Sequence, residues 1–217
     1  MLNIILMGPP GAGKGTHAKW MEEEYKIPHI STGDMFREAM ASGTPLGEKI
    51  KEIVNGGSLV SDELTCALVE ERLSQADCAK GYLLDGFPRT EAQAEALEKM
   101  GQKIGRKPNF VINIAVPDDV LIERISGRLV CPKCGASFNI KSMKPKKEGI
   151  CDYCGTPLIQ RKDDNEASLK VRLATYYKNT APLLDYYKKK RLLKDFDGTV
   201  GAAKLKKQLN ALLSSAE

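Results

Sequence analysis

The chain has 217 residues, 42% of them apolar, and a formal net charge of +5. That length supports one sizeable core with small inserted lobes, and that composition excludes wholesale disorder. The longest apolar runs, such as 110–116, are far too short to cross a bilayer, so no membrane partner is expected.

In chain order, residues 1–7 are apolar and lead straight into glycines, with no basic start and no small-residue cleavage site. They read as a buried strand and not a signal peptide, which makes a cytoplasmic location the expected default. Short apolar strands then alternate with amphipathic helical stretches. Strands are expected over 2–7, 27–30, 82–85, 110–116 and 192–196, and helices over 14–25, 61–75, 91–100, 117–127, 166–190 and 200–213. Pro182 should bend or break the long helix. The alternation predicts an α/β fold with a doubly wound parallel sheet, its strands continuously apolar because helices cover both faces. Two segments interrupt the pattern. Residues 31–60 hold helical patches, where Asp34 is expected to cap the following helix. Residues 127–164 are rich in Gly, Pro, Lys and Cys and read as a long lid-like insertion.

The strand over 2–7 enters Gly8-Pro-Pro-Gly-Ala-Gly-Lys-Gly-Thr16, followed by a helix. Glycines let backbone N–H groups turn around a phosphate, the helix adds its positive end, and Lys14 sets a cation on the outer phosphates. The residue after Lys14 is Gly15, with Thr16 one place later than in the strict P-loop pattern, so the usual magnesium-binding hydroxyl is shifted. A second patch, Tyr82-Leu-Leu-Asp-Gly-Phe-Pro-Arg-Thr90, ends an apolar strand in Asp85, where P-loop proteins place a carboxylate near the metal. Arg37, Arg89, Arg124, Arg128, Arg161 and Arg172 recur around the expected site. Planar guanidinium groups suit the charge that develops on a phosphoryl group in transfer.

Of six cysteines, four form the pairs Cys131-Pro-Lys-Cys134 and Cys151-Asp-Tyr-Cys154. In a reducing compartment this spacing points to metal rather than disulfides, and four thiolates leave no open position, so Zn2+ there would be structural. Iron suits the same sulfur tetrahedron. Cys66 and Cys78 read as small core residues. Lysine clusters near 144–147, 188–191 and 204–207 read as solvated faces. They lack the interleaved aromatics of a nucleic-acid surface, so no nucleic acid is expected as a partner.

The glycine loop, Ile30-Ser-Thr-Gly-Asp-Met-Phe-Arg37, Asp85-Gly-Phe-Pro-Arg-Thr90 and Arg161-Lys-Asp-Asp164, in this order, resemble adenylate kinase of the long-lid, metal-lid type. The resemblance implies a core over 1–30, 61–126 and 165–217, a lobe binding the nucleoside monophosphate over 31–60, and a zinc-binding lid over 127–164. It implies reversible phosphoryl transfer from Mg-ATP to AMP, giving two ADP. Nothing in the sequence demands an oligomer, so a monomer is the expected default. Gly11, Ala12, Gly13, Lys14, Gly15 and Thr16 would cradle ATP, with Arg128, Ser137 and Phe138 from the lid and backbone at Val200 against its adenine. Thr32, Arg37, Ser58, Leu59, Val60, Gly86, Phe87, Pro88, Arg89 and Gln93 would hold AMP, Gln93 facing the base. Arg124, Arg161 and Arg172 would grip the phosphates. Asp163 and Asp164 read as orienting arginines, with a place by the lid hinge as the alternative. Thr32 favours AMP over the pyrimidine acceptors of related kinases. The alternative from another class is a zinc-ribbon nucleic-acid binder using ATP as a switch, which would leave Arg89, Arg161 and Arg172 without a purpose.

Overall fold

Strand β1 (Leu2–Met7) is buried at every position, and its side chains divide by parity. Leu2, Ile4 and Leu6 join Ala18, Met21, Leu121, Ile125 and Leu209 on one face of a sheet, while Ile5 and Met7 join Leu73, Leu84, Phe87 and Leu183 on the other. Alternation is what a strand's two-residue period dictates, and two covered faces explain why the sequence shows no polar alternation there. Each such side chain contributes roughly 1.5–3 kcal/mol by leaving water.

The computed structural model describes residues 1–215. Four strands flank or extend β1 in a wholly parallel sheet: β2 (His29–Ser31), β3 (Gly81–Asp85), β4 (Phe110–Ala115) and β7 (Leu193–Asp197), in the spatial order β2-β3-β1-β4-β7. The chain leaves β1 toward one edge, returns at β3, and crosses to the other side at β4. The carboxyl end of β1 is therefore the topological switch point, where open α/β sheets bind ligands. Helices α1 (Lys14–Tyr25), α4 (Asp62–Leu73), α5 (Glu91–Lys103), α6 (Asp118–Ser126), α7 (Glu166–Thr175), α8 (Pro182–Lys189) and α9 (Ala202–Ser214) cover the sheet.

The first interruption folds as α2 (Thr32–Ala41) and α3 (Pro45–Asn55) over a small cluster of Phe36, Ile50 and Val60. Asp34 does not cap α2. The Ser31 side chain accepts from the Asp34 N–H, and the Asp34 carboxylate sits in the first turn, paired with Arg37. The second interruption is not all loop: β5 (Arg128–Val130) and β6 (Ser137–Asn139) pair antiparallel, with Leu129 opposite Phe138. Strands of three residues are too short to leave a periodic trace.

The expected helix over 166–190 is interrupted before Pro182 and not at it. Tyr176–Thr180 forms a wide turn in which the Ala181 N–H bonds the Tyr176 carbonyl at 2.9 Å, and Pro182 opens α8. Proline lacks an N–H, so the widened turn absorbs the lost bond and the ring's bulk. It also brings Thr180 against Arg89, whose carbonyl accepts from the Thr180 hydroxyl at 3.0 Å.

Candidate active site

Helices α2, α3, α4, α5 and α7 each begin with a side-chain cap, from Ser31, Thr44, Ser61, Thr90 and Asn165. Helix α1 does not. It starts from Gly13, with no side-chain cap and no acid in its first turn. Its leading N–H groups and positive end thus stay available to an anion. Gly8 (φ 137°) makes the loop's entry possible, since a Cβ there would lie 2.6 Å from the Ile114 carbonyl oxygen. The Lys14 ammonium turns back to the Gly8 and Pro9 carbonyls, at 2.7 and 3.0 Å. Burial lowers its pKa to about 8, partly offset by Asp85.

Asp85 ends β3 beside the loop, and a Cβ on Gly15 would lie 3.9 Å from its Oδ2. Burial alone would raise Asp85, but His29 and Lys14 hold it below the usual carboxylate range. His29 Nε2 stands 3.5 Å from Asp85 Oδ2, an ion-pair distance, and the carboxylate raises the imidazole against the opposing effect of burial. The carboxylate expected on the metal side is therefore ionised and faces the start of α1.

The arginines converge. Arg89 donates from Nε to the Gly86 carbonyl at 2.7 Å, and burial lowers its pKa. Gly86 (φ 79°) leaves no room for a side chain, because a Cβ would sit 2.8 Å from Arg89 Nη2 and 2.9 Å from Thr32 Oγ1. Asp164 holds Arg128 at both its Nε (2.8 Å) and Nη2, and Asp163 holds Arg172 at 2.9 Å, so both acids orient arginines as expected. Among the described residues no carboxylate lies within ion-pair distance of Arg161, which burial and the nearby Arg37 and Arg128 draw down to about 10. Arg124 points elsewhere in this structure, donating to the Gly198 carbonyl at 2.8 Å beside Val200. Cations that depress one another's protonation await an anion.

Two clefts share Gly57, Leu59, Gly86, Arg89 and Arg172. One is lined by Thr32, Arg37, Ser58, Val60 and Gln93. The other is lined by Pro10, Lys14, Pro88 and Tyr176. The first suits a nucleoside monophosphate and the second the phosphates bound by the glycine loop. Phe87 is buried in the core beneath the site and Phe138 in the small core of the lid, with Ser137 half-buried beside it. Sequence reasoning missed Asp62, Thr90, Thr180 and His29. Only Thr90-x-x-Gln93 left a signal, matching the capping-box pattern. The partners of the others lie 28 to 91 residues away or, for His29, across the sheet.

The adenylate kinase family model matches residues 6–192. The chain belongs to the adenylate kinase family. It is 51% identical over 216 residues to the adenylate kinase of Fervidobacterium nodosum, covering 100% of this chain and 99% of that one. It is 50% identical over 212 residues to the adenylate kinase of Archaeoglobus fulgidus, covering 98% of each. The match to that of Carboxydothermus hydrogenoformans is 55% over 198 residues, covering 91% of this chain and 92% of the relative. Adenylate kinases are ATP:AMP phosphotransferases that use Mg-ATP, and the chain is a nucleoside monophosphate kinase of this kind. No helix among the described residues is long and apolar enough to cross a membrane.

The segment 127–164 has few apolar residues, and a small core forms in it around Cys131, Ala136, Phe138 and Cys151. The four sulfurs of Cys131, Cys134, Cys151 and Cys154 lie within 4.8 Å of one another. Cys131 Sγ is 3.4 Å from Cys154 Sγ, and Cys134 Sγ is 3.5 Å from Cys151 Sγ. A zinc tetrahedron with bonds of roughly 2.3 Å has edges of roughly 3.8 Å, so the cluster fits zinc. Hydrogen bonding with Thr156 draws the Cys154 thiol down to about 6, toward the thiolate a metal needs. Cys78 is buried in the core on the Ile5 and Met7 face of the sheet, and Cys66, half-buried, packs against that core.

Proposed function

We propose that this adenylate kinase moves the terminal phosphoryl group of ATP directly onto AMP, giving two ADP, where the two clefts join. The carrying observation is that Lys14, Arg37, Arg89 and Arg172 line the two clefts, and that Arg89 and Arg172 line both. In-line transfer needs little covalent help from the protein. Positioning and neutralising the equatorial oxygens is enough, and fixed guanidinium groups do both.

Gly11, Ala12, Gly13, Gly15 and Thr16 cradle ATP with Lys14, while Ser137 and Phe138 cover it from the lid and Val200 meets its adenine. Arg124 reaches the phosphates once ATP displaces its bond to Gly198. Thr32, Arg37, Ser58, Leu59, Val60, Gly86, Phe87, Pro88 and Gln93 hold AMP. Magnesium bound with ATP would neutralise phosphate charge, and Asp85 and Thr16 are the residues that would hold it. The cysteine cluster holds structural zinc. The chain works as a monomer in the cytoplasm, its core spanning 1–30, 61–126 and 165–217, with 31–60 and 127–164 closing over the substrates and excluding water.

The test is diphosphate formation from Mg-ATP with each of AMP, UMP, CMP and GMP. Turnover confined mainly to AMP is expected. Preference for another acceptor would keep the chemistry and remove the base assignments. No transfer to any acceptor by folded, metal-loaded protein would remove the phosphotransfer reading itself.

A further inference from the structure

Gln93 is 1% exposed and lines the acceptor cleft, yet both ends of its amide are engaged by protein. Its Nε2 donates to Asp62 Oδ1 at 2.7 Å, and its Oε1 accepts from the Arg89 N–H at 2.8 Å. Both partners are single-valued. A carboxylate only accepts and a backbone N–H only donates, so the amide has one orientation. Thr90 reinforces it. Its hydroxyl proton goes to the same Asp62 oxygen at 3.0 Å, while its lone pair accepts from the Gln93 N–H at 3.2 Å and caps α5. Asp62 itself opens α4, 31 residues before Gln93 in the chain, with Ser61 as the cap.

We propose that Asp62 is a specificity-determining positioning residue: by fixing the Gln93 amide, it decides which hydrogen-bonding edge of the acceptor base the enzyme accepts. This rests on the reading of Gln93 as the residue facing the base. With Nε2 held toward Asp62, its second proton is the one donor Gln93 can offer. A donor suits a purine whose N1 is an acceptor, as in adenine. It opposes a purine whose N1 carries a proton, as in hypoxanthine or guanine, because two donors then meet in a buried site. A glutamine released from Asp62 keeps only its bond from the Arg89 N–H, so turning its amide costs one bond instead of two and it discriminates less between the edges. Asp62 does not touch the base, so its effect passes entirely through Gln93.

The experiment measures kcat/KM for AMP and for IMP at saturating Mg-ATP, in the wild-type enzyme and in D62L, D62N and Q93L. IMP is the probe because it reverses the N1 and C6 groups and changes nothing else. Wild type should prefer AMP. D62L should lower the AMP-to-IMP ratio at least tenfold, partly by raising kcat/KM for IMP, with the KM for Mg-ATP unchanged. D62N, which keeps an acceptor oxygen but can also donate, should lower the ratio by a smaller factor and covers the case in which D62L does not fold. A purely structural Asp62 would lower both acceptors alike and leave the ratio where it was, and that result overturns the proposal. An unchanged ratio in Q93L also overturns it, while leaving phosphotransfer to AMP in wild type standing. Absence of AMP turnover in wild type would instead strike the functional reading beneath it.

Discussion

Arg89 shows how much one residue can carry. Its N–H, carbonyl and Nε are each committed, to Gln93, Thr180 and Gly86. Only its terminal nitrogens remain for phosphate, and they are held in place by backbone that cannot move independently. Arg89→Ala should lower kcat by about 10³ or more with Tm nearly unchanged, as loss of an arginine finger does. Steady-state turnover alongside a thermal melt checks both halves. His17 gives a pH prediction. It is buried behind the glycine loop, and burial, with Arg124 nearby, lowers its pKa to about 4. The unfolded imidazole titrates near 6.5. Between those pH values the unfolded chain binds a proton that the folded chain refuses. Stability is therefore fully present above about 6.5 and is lost as pH falls toward 4, by at most roughly 3 kcal/mol. Urea unfolding at pH 7 and pH 4.5 should show a smaller loss for His17→Gln than for wild type. Most residues of the site were legible because their chemistry is local: Lys14, Asp85 and Arg89 sit in short motifs at strand ends. The groups that hold them were not. Asp62, Thr180 and His29 act across long sequence separations, and an aspartate opening a helix reads as part of the cap.

At the scale of elements, the sequence predicted strands β1, β3 and β4 within a residue or so, because a doubly covered strand is a short apolar run with sharp limits. Strand β7 also falls within a residue of its expected place, but it is an edge strand, Leu-Lys-Asp-Phe-Asp with no buried position, and departs from the continuously apolar pattern expected of the sheet. It misjudged what short-range pattern cannot encode. The β5–β6 hairpin is three residues per strand, and the widened turn at Tyr176–Thr180 is set by Pro182 ahead of it rather than by its own residues. That turn has a measurable consequence. Thr180→Val removes the hydroxyl bonded to the Arg89 carbonyl and should lower kcat several-fold, while KM for AMP moves less. The lid hairpin stands on its cysteines. Chelation, or Cys151→Ser, should lower Tm clearly, because a metal on the four sulfurs would add its binding energy to the folded hairpin. Activity should persist at temperatures where the lid stays folded. Loss of turnover in a still-folded, metal-free protein would contradict a purely structural metal.

Across the whole molecule, the lid reaches the core through contacts away from the substrates. Lys19 of α1 lies 4.8 Å from the centre of the Tyr153 ring, and Lys141 bonds Glu123 at 2.9 Å. Tyr153 is 72% exposed and stands beside Phe138 of the small cysteine-centred core, so on the proposed closing of 127–164 over ATP its contact with Lys19 belongs to the closed arrangement. A cation over an exposed ring contributes roughly 0.5–1 kcal/mol. Tyr153→Ala should accordingly raise the KM for Mg-ATP about two- to fivefold and leave the KM for AMP unchanged. Charges gathered at the joined cleft supply a reason for the proposed closure over phosphates. Each arginine alone is costly among its neighbours, and phosphates are the partners that relieve them together.

The central claim is direct transfer between two nucleotides held at once, and following the label of γ-phosphate-labelled ATP with AMP in a single turnover tests it most directly. The account predicts that label appears in the β-phosphate of ADP, one for each ATP consumed, with none on the protein. Label released mainly as inorganic phosphate, or trapped on the protein as an intermediate, would contradict it.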